Sequence, residues 1–452
     1  MTPTHKDFWF LPLGGCGEIG MNLNLYGHAG EWLMVDCGVT FEKPLQGAGG
    51  GNRVEMADPV FISNRFQSLA GIVATHAHED HIGALPHLWE QFRCPIYTTA
   101  FTRNVVLRKL RQYGVDAPVI TVSQGETLQL GPFEVTWLPI THSTPETCAL
   151  LITTRAGRVL HTADWKLDSA PIVGAAVEPG RFQALARGRI DAVVCDSTNA
   201  TQAGHSNSEA ELFEGLLDVV RQSEGRVVVA CFASNVARLQ TLGNVAHVAG
   251  RYVGLLGRSL QRMVSCARGA GYLQENFNTV NSRDLGYLLP AETLAVATGS
   301  QGETGAALNR LAADNHPDLN LAAGDHVVFS AKTIPGNEQE VAALIRALEA
   351  RCIRVTHAER HPRPLHATGH PCADELELMY GWVRPRVAVP VHGEQRHMAR
   401  NADIARKVGI PVQLCGKNGD LFDLVNDRLQ PDAAPVGRLY FDEGTNSLRP
   451  AG

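Results

Sequence analysis

The chain has 452 residues, with 40 lysines and arginines against 46 aspartates and glutamates, for a formal net charge of −6. Hydrophobic residues make up 44% of the chain and charged residues 19%, which excludes a disordered protein. No apolar run approaches the ~18 residues of a membrane helix, and no secretion signal opens the chain. The ten cysteines form no CxxC pair, so we expect reduced thiols in a cytoplasmic protein with no membrane partner. The acidic balance excludes a uniformly basic nucleic-acid coat but leaves room for a local basic groove.

Short strands separated by glycine and proline are predicted for the first 200 residues. We predict strands over residues 32–35, 71–75, 134–138, 149–154, 158–162 and 192–195. Several of these strands are followed directly by His, Asp or Ser. The pattern therefore collects polar side chains at strand ends.

From about residue 206 to residue 356 the pattern changes to alternating helices and strands. Helices are predicted over 210–222, 236–248, 260–270, 306–313 and 338–350, and strands over 227–230, 253–256, 293–298, 326–330 and 352–356. Such alternation predicts a parallel sheet covered on both faces. Ser206 with Glu209, and Ser300 with Glu303, fit the S-x-x-E capping box at a helix start.

The strand-rich pattern returns after about residue 366. A strand over 387–391 ends at His392, and a helix is predicted over 399–408. We therefore predict one strand-rich unit that is interrupted by an inserted α/β unit.

Residues 15–20 read G-C-G-E-I-G, a literal G-x-G-x-x-G, and Asp36 lies at a suitable distance beyond them. A dinucleotide fingerprint requires a helix after its third glycine. Here residues 21–25 alternate with period two and reach a turn at 27–30, which predicts a hairpin strand. We set the nucleotide interpretation aside.

Residues 75–81 read T-H-A-H-E-D-H and follow an apolar strand. Four candidate ligands within six residues can converge on one centre if the chain turns sharply there. Imidazole and carboxylate suit zinc and manganese, and mixed sites of this kind can hold two ions. A lone histidine is more often a surface residue, but the H-x-H-x-D-H spacing indicates a metal site.

Two ions need more ligands than this loop supplies. His142, Asp164 and His392 each follow a predicted strand, so each stands where it could complete a ligand shell. Taken alone, each of the three would more often be an ordinary surface or core residue.

A dozen ordered segments match one known family: LGGCGEIGMN, VDCGVTF, THAHEDHIGALPHL, THSTPET, HTADWKLD, DSTNA, FASNVARLQ, GRSL, TGSQGET, IPGNE, HATGH and RPRVAVPVHGE. Through them the sequence resembles the ribonuclease J family, in the β-CASP branch of the metallo-β-lactamase superfamily, over nearly its full length. The histidine motif alone would also fit lactonases, glyoxalases and β-lactamases.

The resemblance implies two divalent ions per subunit. Zinc is the favoured metal, and manganese and magnesium are the alternatives. It assigns His76, His78 and His142 to one ion, Asp80, His81 and His392 to the other, and Asp164 to a bridge between them. Catalytic roles are implied for Asp80, for Asp196 as an orienting carboxylate, and for His370 as the acid near the scissile phosphate. On spacing alone His370 would be a helix-start residue.

The resemblance also implies a pocket for the 5′-terminal nucleotide. His366 and Thr368 would bind a 5′-monophosphate, and the terminal base would lie between Phe41 and Ser234. On sequence alone, stabilisation of a strand-to-helix turn by His366 and Thr368, with Phe41 packed in the core, is an equally good interpretation.

The fold implied is a metallo-β-lactamase αββα sandwich, an α/β architecture, built from residues 1–205 and 361–452 with a β-CASP domain inserted over 206–360. We expect a ribonuclease with 5′-to-3′ exonuclease and endonuclease activity on single-stranded RNA. A DNA exonuclease of the same branch and a small-molecule hydrolase are the alternatives, and the domain-sized insertion disfavours the second. The family usually continues into another C-terminal domain, which we expect to be missing here, so we expect a monomer or homodimer.

Overall fold

The protein is described by a computed structural model that covers residues 1–42, 53–273, 276–334, 336–442 and 444–451. The elements are numbered here in chain order. Up to residue 196 the strands are β1 (Trp9–Gly14), β2 (Leu23–His28), β3 (Glu31–Val35), β4 (Val39–Glu42), β5 (Arg53–Ala57), β6 (Leu69–Val73), β7 (Ile96–Thr98), β8 (Val119–Thr121), β9 (Thr127–Leu130), β10 (Phe133–Pro139), β11 (Cys148–Thr153), β12 (Arg158–His161) and β13 (Ala192–Asp196). The helices of this part are α1 (Val60–Ser63), α2 (Glu79–Ile82), α3 (Leu85–Leu88), α4 (Ala100–Gln112) and α5 (Pro179–Leu185).

The middle of the chain alternates between helices and strands. Its strands are β14 (Val227–Ala230), β15 (Tyr252–Leu256), β16 (Thr279–Val280), β17 (Thr293–Ala297), β18 (His326–Phe329) and β19 (Arg354–His357). Its helices are α6 (Leu212–Arg221), α7 (Val236–Ala249), α8 (Arg258–Gly269), α9 (Ala307–Ala312) and α10 (Glu338–Ala350).

The last part returns to strands and two long helices. Its elements are α11 (Ala373–Val383), β20 (Val387–Val391), α12 (Gln395–Val408), β21 (Val412–Gln413), β22 (Leu421–Asp423), β23 (Arg428–Gln430), β24 (Arg438–Asp442) and β25 (Ser447–Pro450). Short 3₁₀ turns lie at Phe66–Ser68, Trp89–Gln91, Glu209–Glu211, Ser282–Tyr287, Pro290–Glu292 and Ala358–Arg360.

Two mixed sheets contain strands from both ends of the chain. One has the order β23-β22-β1-β2-β3-β6-β7-β8 and the other β21-β20-β13-β12-β11-β10-β9. Because β22 pairs with β1, and β20 with β13, the first and last segments form one unit around the middle segment. This confirms the predicted interruption.

The space between these two sheets is filled by alternate side chains of their strands. In β3, Leu33 and Val35 face this core, while Trp32 and Met34 face the opposite side, as period-two strands require. In β11, Leu150 and Ile152 face it, and the intervening residues pack with α5, α11 and α12. Helices α3 and α4 cover the other sheet. This is an αββα sandwich, the predicted fold.

The middle segment forms a third sheet, which is entirely parallel. Its order is β16-β15-β17-β14-β18-β19, and buried side chains cover both of its faces. All six strands fall between residues 206 and 360. The domain boundaries themselves stay a prediction.

Two local predictions concern the turns around these elements. The hairpin strand expected after Gly20 is confirmed, because β2 pairs antiparallel with β1 and β3. The predicted capping boxes are wrong. The observed box joins Ser208 and Glu211, and Glu303 instead accepts the N–H of Gln301 in a turn before α9.

A fourth sheet, β25-β24-β5-β4, joins the C-terminal hairpin to the strand that carries Phe41. In the parts of the chain that the structure covers, no helix has the length and apolar character needed to cross a bilayer.

Candidate metal centre

Side chains from five strand ends meet at one edge of the sandwich. The loop of residues 74–81 follows β6, and single residues follow or end four further strands: His142, Asp164, Asp196 and His392. The sequence predicted these positions at strand ends, and the structure brings their side chains into one cluster.

The first group contains three histidines and one carboxylate: His76, His78, His142 and Asp164. Their candidate ligand atoms all lie within 4.8 Å of one another. The Nδ1 atom of His78 lies 3.0 Å from Nε2 of His76 and 3.0 Å from Nε2 of His142. Two nitrogen ligands of one tetrahedral zinc ion would be ~3.3 Å apart. The group therefore fits a small divalent cation.

The second group shares Asp164 and adds Asp80, His81 and His392. Nε2 of His81 lies 3.2 Å from the Asp164 carboxylate and 3.5 Å from that of Asp80. His392 lies 3.2 Å from Asp80 and 3.3 Å from Asp164. Asp164 belongs to both groups, so it could contribute to a cation held by either of them.

A third group adds His370 and Asp196 to Asp164 and His392. Nδ1 of His370 lies 2.8 Å from the Asp196 carboxylate and 3.8 Å from Asp164. His370 thus stands at the edge of the cluster, with its second ring nitrogen free of protein partners among the described residues. His370 belongs to neither of the first two groups, although its own group shares Asp164 and His392 with the second.

Three histidines of the cluster are fixed through their other ring nitrogen. Nδ1 of His81 lies 2.7 Å from Asp36, and Nδ1 of His142 donates to the Gly369 carbonyl at 2.6 Å. Nδ1 of His76 lies 3.0 Å from the Thr75 hydroxyl. Metal-binding histidines typically have such partners, which fix the ring and its tautomer.

Asp36 and Thr198 are the functional residues that sequence reasoning missed. Asp36 accepts the N–H and hydroxyl of Thr75 besides contacting His81. Thr198 donates its hydroxyl to Asp196 at 2.8 Å, and its oxygen lies 3.0 Å from Nδ1 of His392. Both lie in segments that match the family, VDCGVTF and DSTNA, and that placement was the available signal.

The backbone at the cluster is unusually crowded. A Cβ atom on Gly38 would lie 1.7 Å from the Asp80 carbonyl oxygen, so only glycine fits there. Asp36, Ala163 and His392 adopt left-handed φ angles of 64°, 51° and 50°. Left-handed φ angles in residues other than glycine are strained, and they occur preferentially at functional sites, where the surrounding structure enforces them.

Burial and mutual contact set the charge of the first group. Burial, with the neighbouring histidines, holds the pKa of His76 and His142 well below the usual range. The same burial lowers the pKa of His78 to about 4. All three imidazoles are therefore neutral at pH 7 and have lone pairs to offer a cation.

The remaining histidines respond mainly to carboxylates. Burial would lower the pKa of His81 and His392, but Asp164 and the neighbouring aspartates outweigh it and raise the pKa of both. Asp196 and Asp164 likewise outweigh burial and raise the pKa of His370. Burial opposes ionisation of Asp80, Asp164 and Asp196, yet the histidines hold the pKa of each carboxyl below its usual range.

The residues predicted to bind the terminal nucleotide lie in three separate segments. The Thr368 hydroxyl oxygen accepts Nδ2–H of Asn199 at 2.7 Å and the N–H of His370 at 3.3 Å. Nδ1 of His366 is buried and has no hydrogen-bond partner among the residues that the structure describes, and burial together with Arg238 lowers the pKa of His366 to about 3. Phe41 is 54% exposed on β4, and Ser234 lies half-buried after β14. No contact joins Phe41 to Ser234 among the described side chains, so their shared role stays a prediction.

Three family profiles match the chain in consecutive segments. The profile described as "Metallo-beta-lactamase superfamily" matches residues 21–168, "Ribonuclease J, beta-CASP domain" matches 224–348, and "Zn-dependent metallo-hydrolase RNA specificity domain" matches 363–415. Together with the clusters above, the fold is that of a hydrolase with divalent metals.

Two relatives are similar in sequence to nearly the whole of this chain. Ribonuclease J of Sinorhizobium meliloti is 39% identical over 97% of this chain and 78% of its own length. Ribonuclease J of Mycolicibacterium smegmatis is 37% identical over 95% of this chain and 77% of its own length. A crystal structure of a protein of unknown function from Enterococcus faecalis shares the fold, with a TM-score of 0.64, 15% identity and coverage of 92% of this chain and 99% of that one. The chain belongs to the ribonuclease J family, with a metallo-β-lactamase domain that carries an inserted β-CASP domain.

Proposed function

We propose that the protein is a metal-dependent ribonuclease that cleaves RNA both from its 5′ end and internally. The observation that carries the proposal is the seven-residue donor set, in two groups that share Asp164, within a chain of the ribonuclease J family. Hydrolysis of a phosphodiester bond is the reaction that such a site favours.

We assign two divalent ions to the two groups. His76, His78 and His142 would hold one ion, Asp80, His81 and His392 the other, and Asp164 both. Imidazole and carboxylate ligands favour zinc, with manganese or magnesium as alternatives. When bound, such ions lower the pKa of water and neutralise charge on phosphate oxygens.

In this proposal His370 gives a proton to the leaving 3′-oxygen. Its contact with the Asp196 carboxylate at 2.8 Å favours the protonated ring and fixes the ring orientation. Asp196 is in turn held by Thr198, so the acid is supported by two further residues of DSTNA. Asp80 would act with them as a ligand of the second ion.

We also propose a preference for a 5′-monophosphate. Both acceptor positions of the Thr368 hydroxyl are used by Asn199 and His370, so its proton remains to be donated to a phosphate oxygen. The unpartnered Nδ1 of His366 offers a second polar group. The exposed ring of Phe41 offers a sequence-tolerant surface for one face of the terminal base, and we assign Ser234 to the other face.

All ten cysteines are free thiols, eight of them buried, which supports a cytoplasmic enzyme. A homodimer stays a prediction, which sedimentation at micromolar concentration would check.

The function is tested with matched RNA and DNA oligonucleotides labelled at the 5′ or the 3′ end. Zinc, manganese and magnesium are supplied in turn, with a chelator as the control. We expect metal-dependent cleavage of RNA with both mononucleotide and internal products. Cleavage of DNA at the same rate, or full activity with chelator present, would contradict the proposal.

A further inference from the structure

Helices α4 and α8 pack side by side, one from the sandwich and one from the inserted domain. Nδ2 of Asn104 donates to the Cys266 carbonyl at 3.3 Å, and Arg262 donates to Oε1 of Gln112 at 3.0 Å. The start of α4 therefore lies beside the end of α8, and the helices run antiparallel. Buried side chains of both helices belong to one apolar cluster, which keeps this pairing fixed.

These two helices carry an unusual concentration of positive charge. They contain seven cationic residues and no aspartate or glutamate, in a chain whose net charge is −6. We call these seven residues the basic ridge: Arg103, Arg108, Lys109, Arg111, Arg258, Arg262 and Arg268. Within the described parts of the chain, Lys109 alone among them forms an ion pair.

Most of the ridge faces solvent. Arg108, Arg111, Arg258, Arg262 and Arg268 are exposed. Arg258 and Arg262 stand one turn apart on α8, and Arg108 stands one turn from both Asn104 and Gln112, the α4 residues that contact α8. Arg108, Arg258 and Arg262 thus border a common seam, whereas Arg268 donates to the Phe277 carbonyl on another side of α8.

The ridge is continuous with the metal centre. Lys109 contacts Glu79 at 2.6 Å, and Glu79 stands between His78 and Asp80 in the chain. Glu146, four residues after His142, accepts the N–H of Phe101 at the start of α4 and the hydroxyl of Tyr272 just after α8. Both loops that supply the first group of histidines therefore rest against this helix pair.

We propose that the basic ridge binds the phosphate backbone of the RNA substrate outside the catalytic cleft. The proposal rests on the proposed function, since it names how that substrate is held. Unpaired guanidinium groups at a surface repel one another, and a polyanion relieves this while forming bidentate contacts with phosphate. Placement beside both histidine loops favours the substrate strand over an acidic protein as the occupant.

The ridge extends beyond the reach of a short substrate. Helix α4 has 13 residues, which corresponds to a length of ~20 Å. A dinucleotide held at the metal centre would not extend along it. We therefore expect the contribution of the ridge to depend on the length of the RNA.

The test combines Arg108→Gln, Arg111→Gln and Arg262→Gln in one variant. Affinity for an unstructured 30-nucleotide RNA with a 5′-monophosphate is measured by fluorescence anisotropy, in a His370→Ala background in which we expect cleavage to be roughly 10²–10⁴-fold slower. We expect at least tenfold weaker binding. The slope of log K against log salt should also become smaller in magnitude by about 2, because each of the three lost phosphate contacts contributes ~0.7 for single strands. With His370 restored, kcat on the 30-mer and the rate on a 5′-phosphorylated dinucleotide should stay within twofold of the wild type.

Three exposed arginines on other elements give a matched control: Arg187→Gln after α5, Arg346→Gln on α10 and Arg400→Gln on α12. This control variant removes the same charge and should bind RNA as the wild type does. An unchanged affinity and salt slope in the ridge variant would overturn the proposal, as would equal losses in both variants. Because binding is measured apart from cleavage, failure of the nuclease function would appear separately, as an intact wild type that cleaves no RNA.

Discussion

The strand ends of the sandwich and those of the inserted sheet carry opposite kinds of side chains. In the sandwich, β6, β10, β12, β13 and β20 run into histidines and aspartates. In the inserted sheet, β14, β17 and β18 run into small or neutral polar residues such as Ser234, Ser300, Gln301 and Ser330. Both edges are the carboxyl ends of strands, so topology alone does not explain the difference.

The two edges differ because burying a charged side chain requires a partner of opposite charge. The charged groups of the sandwich edge are stable only because each aspartate lies beside histidines, and the removal of one partner leaves another group uncompensated. At the inserted edge, by contrast, Gln301 donates to the Lys332 carbonyl at 3.0 Å and accepts the N–H of Ile334 at 2.8 Å, which joins two loops through a neutral amide. The buried charges beside this edge, Arg238 and Glu209, pair with each other, and Arg238 also donates to Ser330. The first edge therefore collects the charged groups that can hold a metal ion, and the second joins neighbouring loops.

The largest effect is expected from breaking the charged edge. His78→Ala combined with Asp164→Ala removes a ligand of the first group and the carboxylate common to both groups. Metal analysis should fall from two equivalents towards none, and cleavage should become undetectable. Circular dichroism serves as the control for folding. A double variant that keeps its metal and its activity would contradict the assignment of the site.

His370→Ala separates proton transfer from metal binding. His370 belongs to neither of the first two groups, so metal content should stay at two equivalents. Loss of a positioned acid lowers the cleavage rate by roughly 10²–10⁴-fold. The rate is measured in single turnover with saturating enzyme. If the variant loses metal, His370 is a metal ligand, and its assignment as the proton donor is wrong.

A part of this site was accessible from the sequence, and the reasons are physical. Ligand motifs such as H-x-H-x-D-H are local in the chain, and strand ends were visible from apolar periodicity, so seven converging residues were named in advance. Asp36 was noticed only as part of a nucleotide motif. Its actual contact with His81 joins residues 45 positions apart, which no spacing rule encodes.

The capping boxes failed for a similar reason. The S-x-x-E pattern was read at Ser206, but its hydroxyl and N–H are taken by Glu375, a buried carboxylate from α11. Glu209 is likewise taken by the buried Arg238. Because these tertiary contacts occupy Ser206 and Glu209, the capping box forms two residues later, between Ser208 and Glu211.

The proposed preference for a 5′-monophosphate tests whether a neutral hydroxyl, rather than a charged side chain, binds the end of the substrate. Thr368→Val keeps the side-chain shape but removes the hydroxyl that Asn199 and His370 hold in place. Loss of one such hydrogen bond to phosphate should reduce the rate on 5′-monophosphate RNA about tenfold. Rates on 5′-triphosphate and 5′-hydroxyl RNA of the same sequence should change little. Equal wild-type rates on all three ends would remove the proposed pocket.

The smallest effect is expected where the two regions join, at Ser208. Its hydroxyl donates to the buried Asp168 carboxylate at 2.5 Å and accepts the N–H of Ala210, while its N–H donates to Glu211 at 3.1 Å. Asp168 also accepts the N–H of Glu209 and pairs with Lys166, so Ser208→Ala removes one of several partners rather than all.

Ser208→Ala should therefore lower the free energy of unfolding by about 1–3 kcal/mol, the combined range for losing a cap and a hydrogen bond to a buried charge. Urea unfolding measures it, with Ser265→Ala at an exposed position of α8 as the control. The specific activity of the folded variant should stay within twofold, because Ser208 belongs to none of the three cluster groups. A large loss of activity without a loss of stability would mean that this junction also sets the geometry of the cleft, and the division between the two regions would no longer hold.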